Sequence, residues 1–529
     1  MMRFPWWLSL MVGFLSLSQE ILWVRLISFN YRGIPHAFSF VLANYLIGIA
    51  IGANIGKYFC GKVMDLYQVA ALTLLLAGIT DILIPVIAPH ILGQSYATLP
   101  VVALAIMMTA GIKSVLFPIA HHLGSNQQGP NVGSSVSKIY FGNIIGSTLG
   151  PIVTGFFLLN QFTVEQCFDI VGASALLLSI LSAAYSSSKP KFATVAVTSL
   201  AALLILKPWD SPDAIRPLAL RWPDKTQPVL EIIQNKHGII HTVKGSEQGD
   251  VVLGTNIYDG RINTDMAINS NWLDRAYVLA MAHPKPSRIL VIGMSSGAWT
   301  RILQGFPGVE HIDVVEINPG YLQLVAKYPE VAPLLSDPHM NIYIDDGRRW
   351  LKRHPNEKYD LIVMNTSYHW RAYATNILSK EFFQELQSHL LTGGIVGVNS
   401  TFSLDVFVTL KAVFPHVFKY GNFAYGSDHD IRVDANTAIA RLRQCRIGES
   451  AAFLPKQFEK NGLALHIATK GAVPIETLLA EKHMVEPEVI TDENMITEYR
   501  HGLFVDLKAL SWIYPPNPND QTRETSIHH

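Results

Sequence analysis

Seven long apolar segments follow one another in the first 206 residues, and they constrain the fold more than any other feature. They lie near residues 5–27, 37–57, 68–91, 97–120, 136–159, 164–185 and 190–206. About 20 apolar residues are enough to cross the hydrocarbon core of a bilayer. A single segment at the N-terminus could be a cleaved signal peptide, but seven in succession could not. The sequence therefore predicts a multi-pass α-helical membrane bundle over residues 1–206, with the lipid bilayer as a partner.

Small and charged residues within these segments indicate how the helices pack. Two segments carry glycine at every fourth position: Gly48, Gly52 and Gly56 in one, and Gly142, Gly146 and Gly150 in the other. Such spacing lets two helix backbones touch, which favours packing within the bundle or in a dimer over the alternative of a substrate passage. Charges inside a membrane are costly and mark either a functional site or an ion pair. We predict an ion pair between Asp81 and Lys113, while Glu20 and Arg25 add charge to the first segment.

The second half of the chain has the pattern of a soluble α/β domain. A proline-rich linker is predicted over 207–228, followed by a small β lead-in over 229–285 that contains turn signals such as Asp259-Gly260. Residues 286–510 alternate apolar strands with helical stretches, which is typical of a parallel sheet covered on both faces. The predicted strands are Arg288–Ile292, Ile312–Glu316, Met340–Ile344, Leu361–Met364 and Ile395–Asn399. Residues 511–529 form a predicted tail.

Candidate ligand-binding residues follow these strands, because ligands bind at the carboxyl ends of parallel strands and glycine lets the backbone approach them. An acid after the second strand can accept both ribose hydroxyls, and an acid after the third can meet the adenine amine. The absence of a GxGxxG pattern indicates an adenosyl group rather than NAD. The candidates are Gly293, Ser295, Ser296, Gly297, Glu316, Ile317, Asp345, Asp346, Gly347 and, after the fourth strand, Asn365.

The composition argues against several other classes of protein. The 41 basic residues balance the 41 acidic ones, so nothing indicates nucleic acid or another polyanion as a partner. Cys60, Cys167 and Cys445 show no CxxC spacing, which excludes a disulfide framework and a cysteine-rich zinc site. We therefore expect a small-molecule substrate and no metal, while homo-oligomerisation stays open.

The soluble half resembles spermidine synthase and the other aminopropyltransferases over residues 226–400. The resemblance is carried by Val314–Ile317, Asp345–Arg348, Tyr359–Val363, Leu378–Phe382 and Gly393–Gly394, in this order after the glycine loop. The membrane half, with Glu20–Arg25 and Tyr140–Asn143, looks like that of bacterial proteins that fuse a helical bundle to a spermidine synthase-like domain. The resemblance implies a Rossmann-like spermidine synthase/methyltransferase fold. It also implies S-adenosylmethionine or its decarboxylated form as substrate, with Glu316 on the ribose and Asp346 near the adenine.

Three positions depart from the family pattern at the polyamine end of the site. The family has aspartates at the positions of Ser296, Asn365 and Tyr368, where they hold the two amines and help to deprotonate the attacking one. An amine with a pKa of about 10 must lose a proton before it attacks, and Asn365 cannot accept that proton. Losing these acids also removes repulsion of the carboxylate of intact S-adenosylmethionine. Donors that could bind this carboxylate are Thr366, His369, Trp370, Arg371 and, more remotely, Arg275.

These departures favour intact S-adenosylmethionine as the substrate and make Asn365, His369 and Arg371 the candidate catalytic residues. We expect a lyase-type reaction in which the carboxylate of the substrate attacks its own γ-carbon. This gives homoserine lactone and methylthioadenosine and needs no general base. A true aminopropyltransferase, an S-adenosylmethionine-dependent methyltransferase and a nucleoside-sensing transporter are the alternatives. A surface pair, or an ion pair with Glu381, is the structural alternative for His369 and Arg371.

The lysines leave the sidedness of the soluble half in conflict with its expected substrate. Lys57, Lys62, Lys138, Lys189 and Lys191 fall in alternate loops, which the positive-inside rule places in the cytoplasm. Seven full spans would then put the soluble half outside, whereas an S-adenosyl substrate requires the cytoplasm. Either the count of seven is off by one or one segment is re-entrant, for which the polar first segment is the candidate. The expected location is the bacterial inner membrane, with a cytoplasmic catalytic domain.

Overall fold

Two units make up the chain: residues 1–219 with 234–239, and residues 220–233 with 240–529. A computed structural model describes residues 3–62, 65–92, 98–125, 132–187, 189–206, 210–221, 226–365, 368–480 and 486–500. The predicted tail at 511–529, Thr366, and parts of the predicted linker at 207–209 and 222–225 lie outside the described residues. The predicted domain boundaries stay predictions.

Six helical stretches among the described residues of the first unit are long and apolar enough to cross a membrane. They are α1 (Arg3–Asn30), α2 (Pro35–Cys60), α3 (Leu66–Ile91), α4 (Leu99–Ser114) continued by α5 (Leu116–Gly124), α6 (Val132–Ile152) continued through a π-helical segment (Val153–Leu158) into α7 (Leu159–Gln161), and α8 (Val164–Ala184). In α9 (Lys189–Leu206) the apolar stretch is shorter, and α10 (Ile215–Leu218) is a single turn. The sequence-based number of seven spans is therefore one too high by this measure. The 18 residues of α9 rise about 27 Å, less than the roughly 30 Å of the hydrocarbon core.

The regularly spaced glycines of α2 and α6 lie at contacts between helices, as predicted. Gly48 and Gly52 of α2 are buried against α4, Gly56 is buried against Val115 and Pro118 at the start of α5, and the three glycines of α6 are buried against α1. A Cβ at Gly52 would overlap the carbonyl oxygen of Gly111, and a Cβ at Gly146 would overlap that of Leu10. The helix backbones therefore touch at these positions, and any larger residue would push them apart.

The predicted ion pair between Asp81 and Lys113 is confirmed. Lys113 Nζ lies 2.7 Å from Asp81 Oδ1, and both side chains are buried. Gln19 Nε2 donates to the same oxygen at 2.5 Å, and Tyr45 OH donates to Gln19 Oε1 at 3.0 Å. A hydrogen-bonded chain therefore links α1, α2, α3 and α4 inside the bundle, and each charge depends on its partner.

A four-stranded sheet in the order β1–β2–β3–β4 precedes the α/β domain, as the small β unit of the sequence analysis requires. Its strands are β1 (Val229–Asn235), β2 (Gly238–Val243), β3 (Val251–Gly254) and β4 (Ile257–Arg261), and α11 (Asp274–Ala282) follows. The pairs β2–β3 and β3–β4 are antiparallel.

An eight-stranded sheet forms the centre of the second unit, in the order β14–β10–β11–β9–β8–β5–β6–β7. Its strands are β5 (Arg288–Ile292), β6 (His311–Glu316), β7 (Met340–Ile344), β8 (Tyr359–Met364), β9 (Leu390–Asn399), β10 (His416–Tyr420), β11 (Phe423–Ser427) and β14 (Val473–Pro474), while β12 (Arg446–Ile447) and β13 (Ser450–Ala451) form a separate hairpin. Strands β5 to β9 are parallel, as predicted. The other three pair antiparallel, so the sheet is mixed rather than wholly parallel.

Helices cover both faces of this sheet. Ile289 and Val291 of β5 belong to one buried cluster, and Leu290 and Ile292 belong to another. The first face is covered by α11, α12 (Ala298–Gln304), α13 (Gly320–Val325), α18 (Ala435–Leu442) and α19 (Leu463–Lys470); the second is covered by α14 (Gly347–Arg353), α15 (Thr375–Leu378), α16 (Lys380–Ser388), α17 (Leu404–Lys411), α20 (Glu476–Leu479) and α21 (Ile496–Arg500). Short 3₁₀ turns lie at Ala332–Ser336 and Pro455–Phe458. Because β5 has β6 on one side and β8 on the other, the strand order reverses there, which is where such folds bind ligands.

Candidate active site

The glycine–serine loop joins β5 to α12 at this reversal. Gly293 and Gly297 have φ angles of +87° and +76°, which only glycine adopts easily, and Ser295 has a φ of +47°. Ser296 is buried, and its Oγ accepts a hydrogen bond from Ala298 N at 3.4 Å. The loop therefore turns sharply and brings backbone rather than bulky side chains to the carboxyl edge of the sheet.

Glu316 ends β6 directly beside this loop. Its Oε2 accepts hydrogen bonds from Met294 N at 2.7 Å and Ser295 N at 3.4 Å, and its Oε1 accepts from Asn318 N at 2.8 Å. The side chain is only 3 % exposed. Burial raises the pKa of Glu316 to about 7 although these backbone hydrogen bonds lower it, and the charge of Asp259 adds to the rise. Each carboxylate oxygen has two acceptor sites, so Oε1 in particular keeps the capacity to accept a ribose hydroxyl.

The two acids after β7 have different surroundings. Asp345 is paired with Arg349 and Arg353 of α14, and although burial raises its pKa, the hydrogen bond from Arg349 brings that pKa below its ordinary value. Asp346 caps the same helix, with Oδ1 accepting from Arg349 N at 2.8 Å. Ile317 exposes 52 % of its surface. Asp346 and Ile317 are therefore free to meet an adenine ring, whereas Asp345 is engaged by the helix.

Asn365 and His369 come together through residues that follow β9. Asn365 Oδ1 accepts from Asn399 Nδ2 at 2.9 Å. Asn399 Oδ1 in turn accepts from Thr401 N at 2.9 Å, and Thr401 Oγ1 lies 2.7 Å from His369 Nδ1. His369 is buried, which argues against the alternative of a surface pair. The carboxyl ends of β8 and β9 therefore present amide, hydroxyl and imidazole groups.

Arg371 belongs to a turn that is fixed by the distant Glu498. Arg371 N donates to Tyr368 O at 3.1 Å, and the guanidinium is half-buried. Glu498 is 1 % exposed, and its two carboxylate oxygens accept from Tyr373 N at 2.9 Å and Thr375 N at 2.8 Å. The positive charge of Arg371 lowers the pKa of Tyr321, although burial and Asp259 raise that pKa well above its ordinary value. The charge of Arg371 therefore acts on Tyr321 of α13.

Arg275, the more remote carboxylate-binding candidate, is held by protein groups. It is buried, and its donors reach Trp272 O at 3.0 Å, Asn271 O at 3.1 Å and Asn422 Oδ1 at 2.5 Å. Its guanidinium also lies 5.2 Å from the ring centre of Trp299. These contacts make Arg275 part of the scaffold of α11, so Arg371 is the better candidate for binding a carboxylate.

The sequence analysis missed Asp259 and Tyr321, which lie beside the glycine loop. Ser295 Oγ donates to Asp259 O at 2.7 Å, and Tyr321 OH donates to Asp259 Oδ2. A Cβ at Gly260 would lie 3.2 Å from Ser296 Oγ, so β4 packs directly on the loop. The only signal in the sequence was Asp259-Gly260, which was interpreted as a turn.

A surface cavity of about 490 Å³ lies where α14 meets the segment 486–500. It is lined by Asp346, Arg348, Arg349, Lys352, Arg353, Asn376 and Asp492. Of the predicted site residues, it includes Asp346 at the start of α14, next to Gly347, but not Glu316. In the described part of the chain, no group of three or more His, Cys, Asp or Glu residues is placed to hold a metal ion.

Comparisons with known proteins relate part of the second unit to one family. Residues 276–420 match the family model of the spermine/spermidine synthase domain. The chain is 34 % identical over 167 residues to a polyamine aminopropyltransferase of Agathobacter rectalis, which covers 31 % of this chain and 56 % of that protein. It is 31 % identical over 118 residues to a spermidine synthase of Solanum lycopersicum, which covers 22 % of this chain and 34 % of that protein. The second unit therefore contains a spermidine synthase-like domain.

The matches cover only part of each protein. The chain spans about half, or less, of the length of these curated relatives. The crystal structure of spermidine synthase from Thermotoga maritima matches with a TM-score of 0.36 and 17 % sequence identity, over 45 % of this chain and 82 % of that one.

Proposed function

We propose that the second unit binds S-adenosylmethionine and breaks the bond between its sulfonium sulfur and its aminoalkyl carbon, releasing methylthioadenosine. The observation that carries this proposal is the buried carboxylate of Glu316 beneath the glycine–serine loop. A buried acid at this strand end is suited to the two hydroxyls of a ribose. In this proposal, Asp346 and Ile317 meet the adenine, and the guanidinium of Arg371 binds the carboxylate of the substrate.

The groups at the ends of β8 and β9 support cleavage without an external nucleophile. Asn365 is paired with Asn399 and cannot accept a proton from an attacking amine. In the proposed step, an oxygen of the substrate carboxylate forms a bond to the γ-carbon while the carbon–sulfur bond breaks. The electron pair of that bond stays on sulfur, which becomes a neutral thioether, so no proton has to move. In this step the negative carboxylate and the positive sulfonium are both converted into neutral groups. A site that excludes water therefore favours the step, because water stabilises the charged groups more than the neutral ones.

Transfer of the aminopropyl group to an amine is the second candidate. It is supported by the match of residues 276–420 to the spermine/spermidine synthase domain and by the activity named for the relatives. It requires a group other than Asn365 to take the proton, and the imidazole of His369 is connected to that residue through Asn399 and Thr401. It also requires decarboxylated S-adenosylmethionine as the donor.

Product analysis with the purified full-length protein separates these functions. We expect S-adenosylmethionine alone to give methylthioadenosine and homoserine lactone, and Glu316→Ala to abolish the reaction. Spermidine from putrescine and decarboxylated S-adenosylmethionine, at about 1 s⁻¹ or faster, would instead establish an aminopropyltransferase. S-adenosylhomocysteine as the product would establish a methyltransferase, and binding without turnover would establish a sensor.

We also propose that the first unit anchors the protein in the bacterial inner membrane with the second unit on the cytoplasmic side. Six crossings, rather than seven, place both ends of the bundle on the same side. The lysine-bearing loops then agree with a cytoplasmic second unit. A membrane-impermeant thiol reagent should fail to label Glu247→Cys, an exposed position, in intact cells and should label it after lysis. Labelling of intact cells would contradict this orientation.

A further inference from the structure

Asp259 places a carboxylate beside the glycine–serine loop, where the sequence analysis found no acid. It sits on β4, and its backbone oxygen is fixed by Ser295 Oγ at 2.7 Å. A Cβ at its neighbour Gly260 would lie 3.2 Å from Ser296 Oγ. An acid from the β lead-in therefore lies next to a loop whose own residues Ser295 and Ser296 are uncharged.

The carboxylate of Asp259 is oriented but lacks a cationic partner. Its Oδ2 accepts from the hydroxyl of Tyr321, a side chain that is 8 % exposed and therefore well fixed. Among the described residues, no Lys, Arg or His is ion-paired with Asp259, although it is half-buried. A partly desolvated anion without a counter-ion is costly, so a cationic ligand group beside it would be bound favourably.

The neighbours of Asp259 fix which part of a ligand would reach it. Glu316 lies on the ribose side, since its oxygens accept from the same loop that holds Asp259. Burial and Asp259 raise the pKa of Tyr321, and the positive charge of Arg371 lowers it, so Arg371 is close enough to act on the same phenol. A ligand that binds with its ribose at Glu316 would therefore meet both an anion, Asp259, and a cation, Arg371. This charge pattern matches the ammonium and the carboxylate of an amino acid.

We propose that Asp259 binds the α-ammonium group of the amino acid part of the substrate, held in place by Tyr321 and Ser295. This rests on the proposed function, because it assigns a role within the same site. Asp259 would then select ligands that carry an amine, and Arg371 would select ligands that carry a carboxylate. A ligand with only the adenosyl part would make neither contact.

Three nucleosides separate these roles by calorimetry with the full-length protein. Methylthioadenosine has neither an aliphatic amine nor a carboxylate. S-adenosylhomocysteine has an ammonium and a carboxylate in a side chain on a neutral sulfur, and decarboxylated S-adenosylmethionine has an ammonium but no carboxylate. We expect Asp259→Asn to weaken the latter two by about tenfold or more, the loss of one charged hydrogen bond, and methylthioadenosine by less than twofold. Arg371→Gln should weaken only S-adenosylhomocysteine.

The outcomes that overturn the assignment are distinct from failure of the proposed function. If Asp259→Asn weakens all three ligands equally, Asp259 only supports the loop; if it weakens only decarboxylated S-adenosylmethionine, it faces the sulfonium. Either result overturns the ammonium assignment and leaves the adenosyl site intact. Should Asp259→Asn not fold, Tyr321→Phe provides the second variant, with a smaller loss confined to the same two ligands. If the unchanged protein binds none of the three, the proposed function itself is wrong and this assignment with it.

Discussion

Acidification should weaken the binding of adenosyl ligands through the single carboxylate of Glu316. A carboxylate can accept both ribose hydroxyls only when it is ionised, because the protonated form carries a donor on one oxygen. Burial raises the pKa of Glu316 to about 7, so the group changes charge within the range in which a protein can be handled. An exposed glutamate would titrate near its ordinary pKa of about 4.3 and would leave binding unchanged over this range.

The expected magnitude follows from the ionised fraction. With a pKa of about 7, about nine-tenths of Glu316 is ionised at pH 8 and about one-tenth at pH 6. If only the ionised form binds, the dissociation constant rises about tenfold between these two values. A tenfold change corresponds to about 1.4 kcal/mol of binding free energy. Most of the loss should occur between pH 7 and pH 6, where the ionised fraction falls about fivefold, compared with about twofold between pH 8 and pH 7.

Calorimetry with methylthioadenosine at pH 6, 7 and 8 measures this effect, since this ligand has no amino acid part to titrate. Glu316→Gln is the matched control, because it keeps the size of the side chain but cannot ionise. It should bind weakly and with the same affinity at all three pH values. A second control is 2′,3′-dideoxyadenosine, which lacks both hydroxyls and should bind weakly at every pH. A wild-type affinity that is constant from pH 6 to 8 would refute the reasoning, as would a pH-dependence that persists in Glu316→Gln.

Three further predictions concern other parts of the chain. Ser296→Asp adds a negative charge beside Asp259 and should weaken the binding of S-adenosylmethionine more than the binding of its decarboxylated form. Equal losses of affinity in calorimetry would show that the carboxylate of the ligand does not lie near Ser296. Glu498→Ala removes the acceptor of Tyr373 N and Thr375 N, so kcat should fall about tenfold while the affinity for methylthioadenosine changes less than twofold. The control is Glu493→Ala, at an exposed position. Equal effects of the two substitutions on kcat would contradict a positioning role for Glu498. Asp81→Asn leaves Lys113 buried without its counter-ion and should lower the free energy of unfolding of the bundle by about 3–5 kcal/mol, measured by thermal or denaturant unfolding in detergent. Replacing both residues with Leu should recover much of this lost stability.

The sequence predicts those parts of the site that depend on local pattern. The strand ends, the glycine–serine loop and Glu316 follow one another within a short stretch, so periodicity and turn residues were enough to place them. The ion pair between Asp81 and Lys113 was also predictable, because charges are rare within apolar helices and must find partners there.

Contacts between distant parts of the chain left no comparable signal. Asp259 reaches Tyr321 across 62 residues, and its Asp-Gly dipeptide is equally typical of an ordinary turn. None of the three antiparallel strands β10, β11 and β14 was predicted from the sequence, since β10 and β11 are short and carry polar residues, and β14 consists only of Val473–Pro474. The seventh apolar segment, 190–206, was the shortest of those predicted, and it was counted as a span because its length still falls within the roughly 17–25 residues that can cross a bilayer.

The two hydrogen bonds that Glu498 accepts from Tyr373 N and Thr375 N determine when the candidate site of a newly made chain can be completed. Glu498 follows Tyr373 by 125 residues, so the turn that carries Arg371 lacks its two fixed backbone contacts until nearly the whole second unit has left the ribosome. The helices of the first unit emerge long before this. A chain interrupted anywhere before Glu498 would therefore contain the predicted site residues without the two contacts that fix the turn of Arg371. The candidate site is completed only by elements that are translated late.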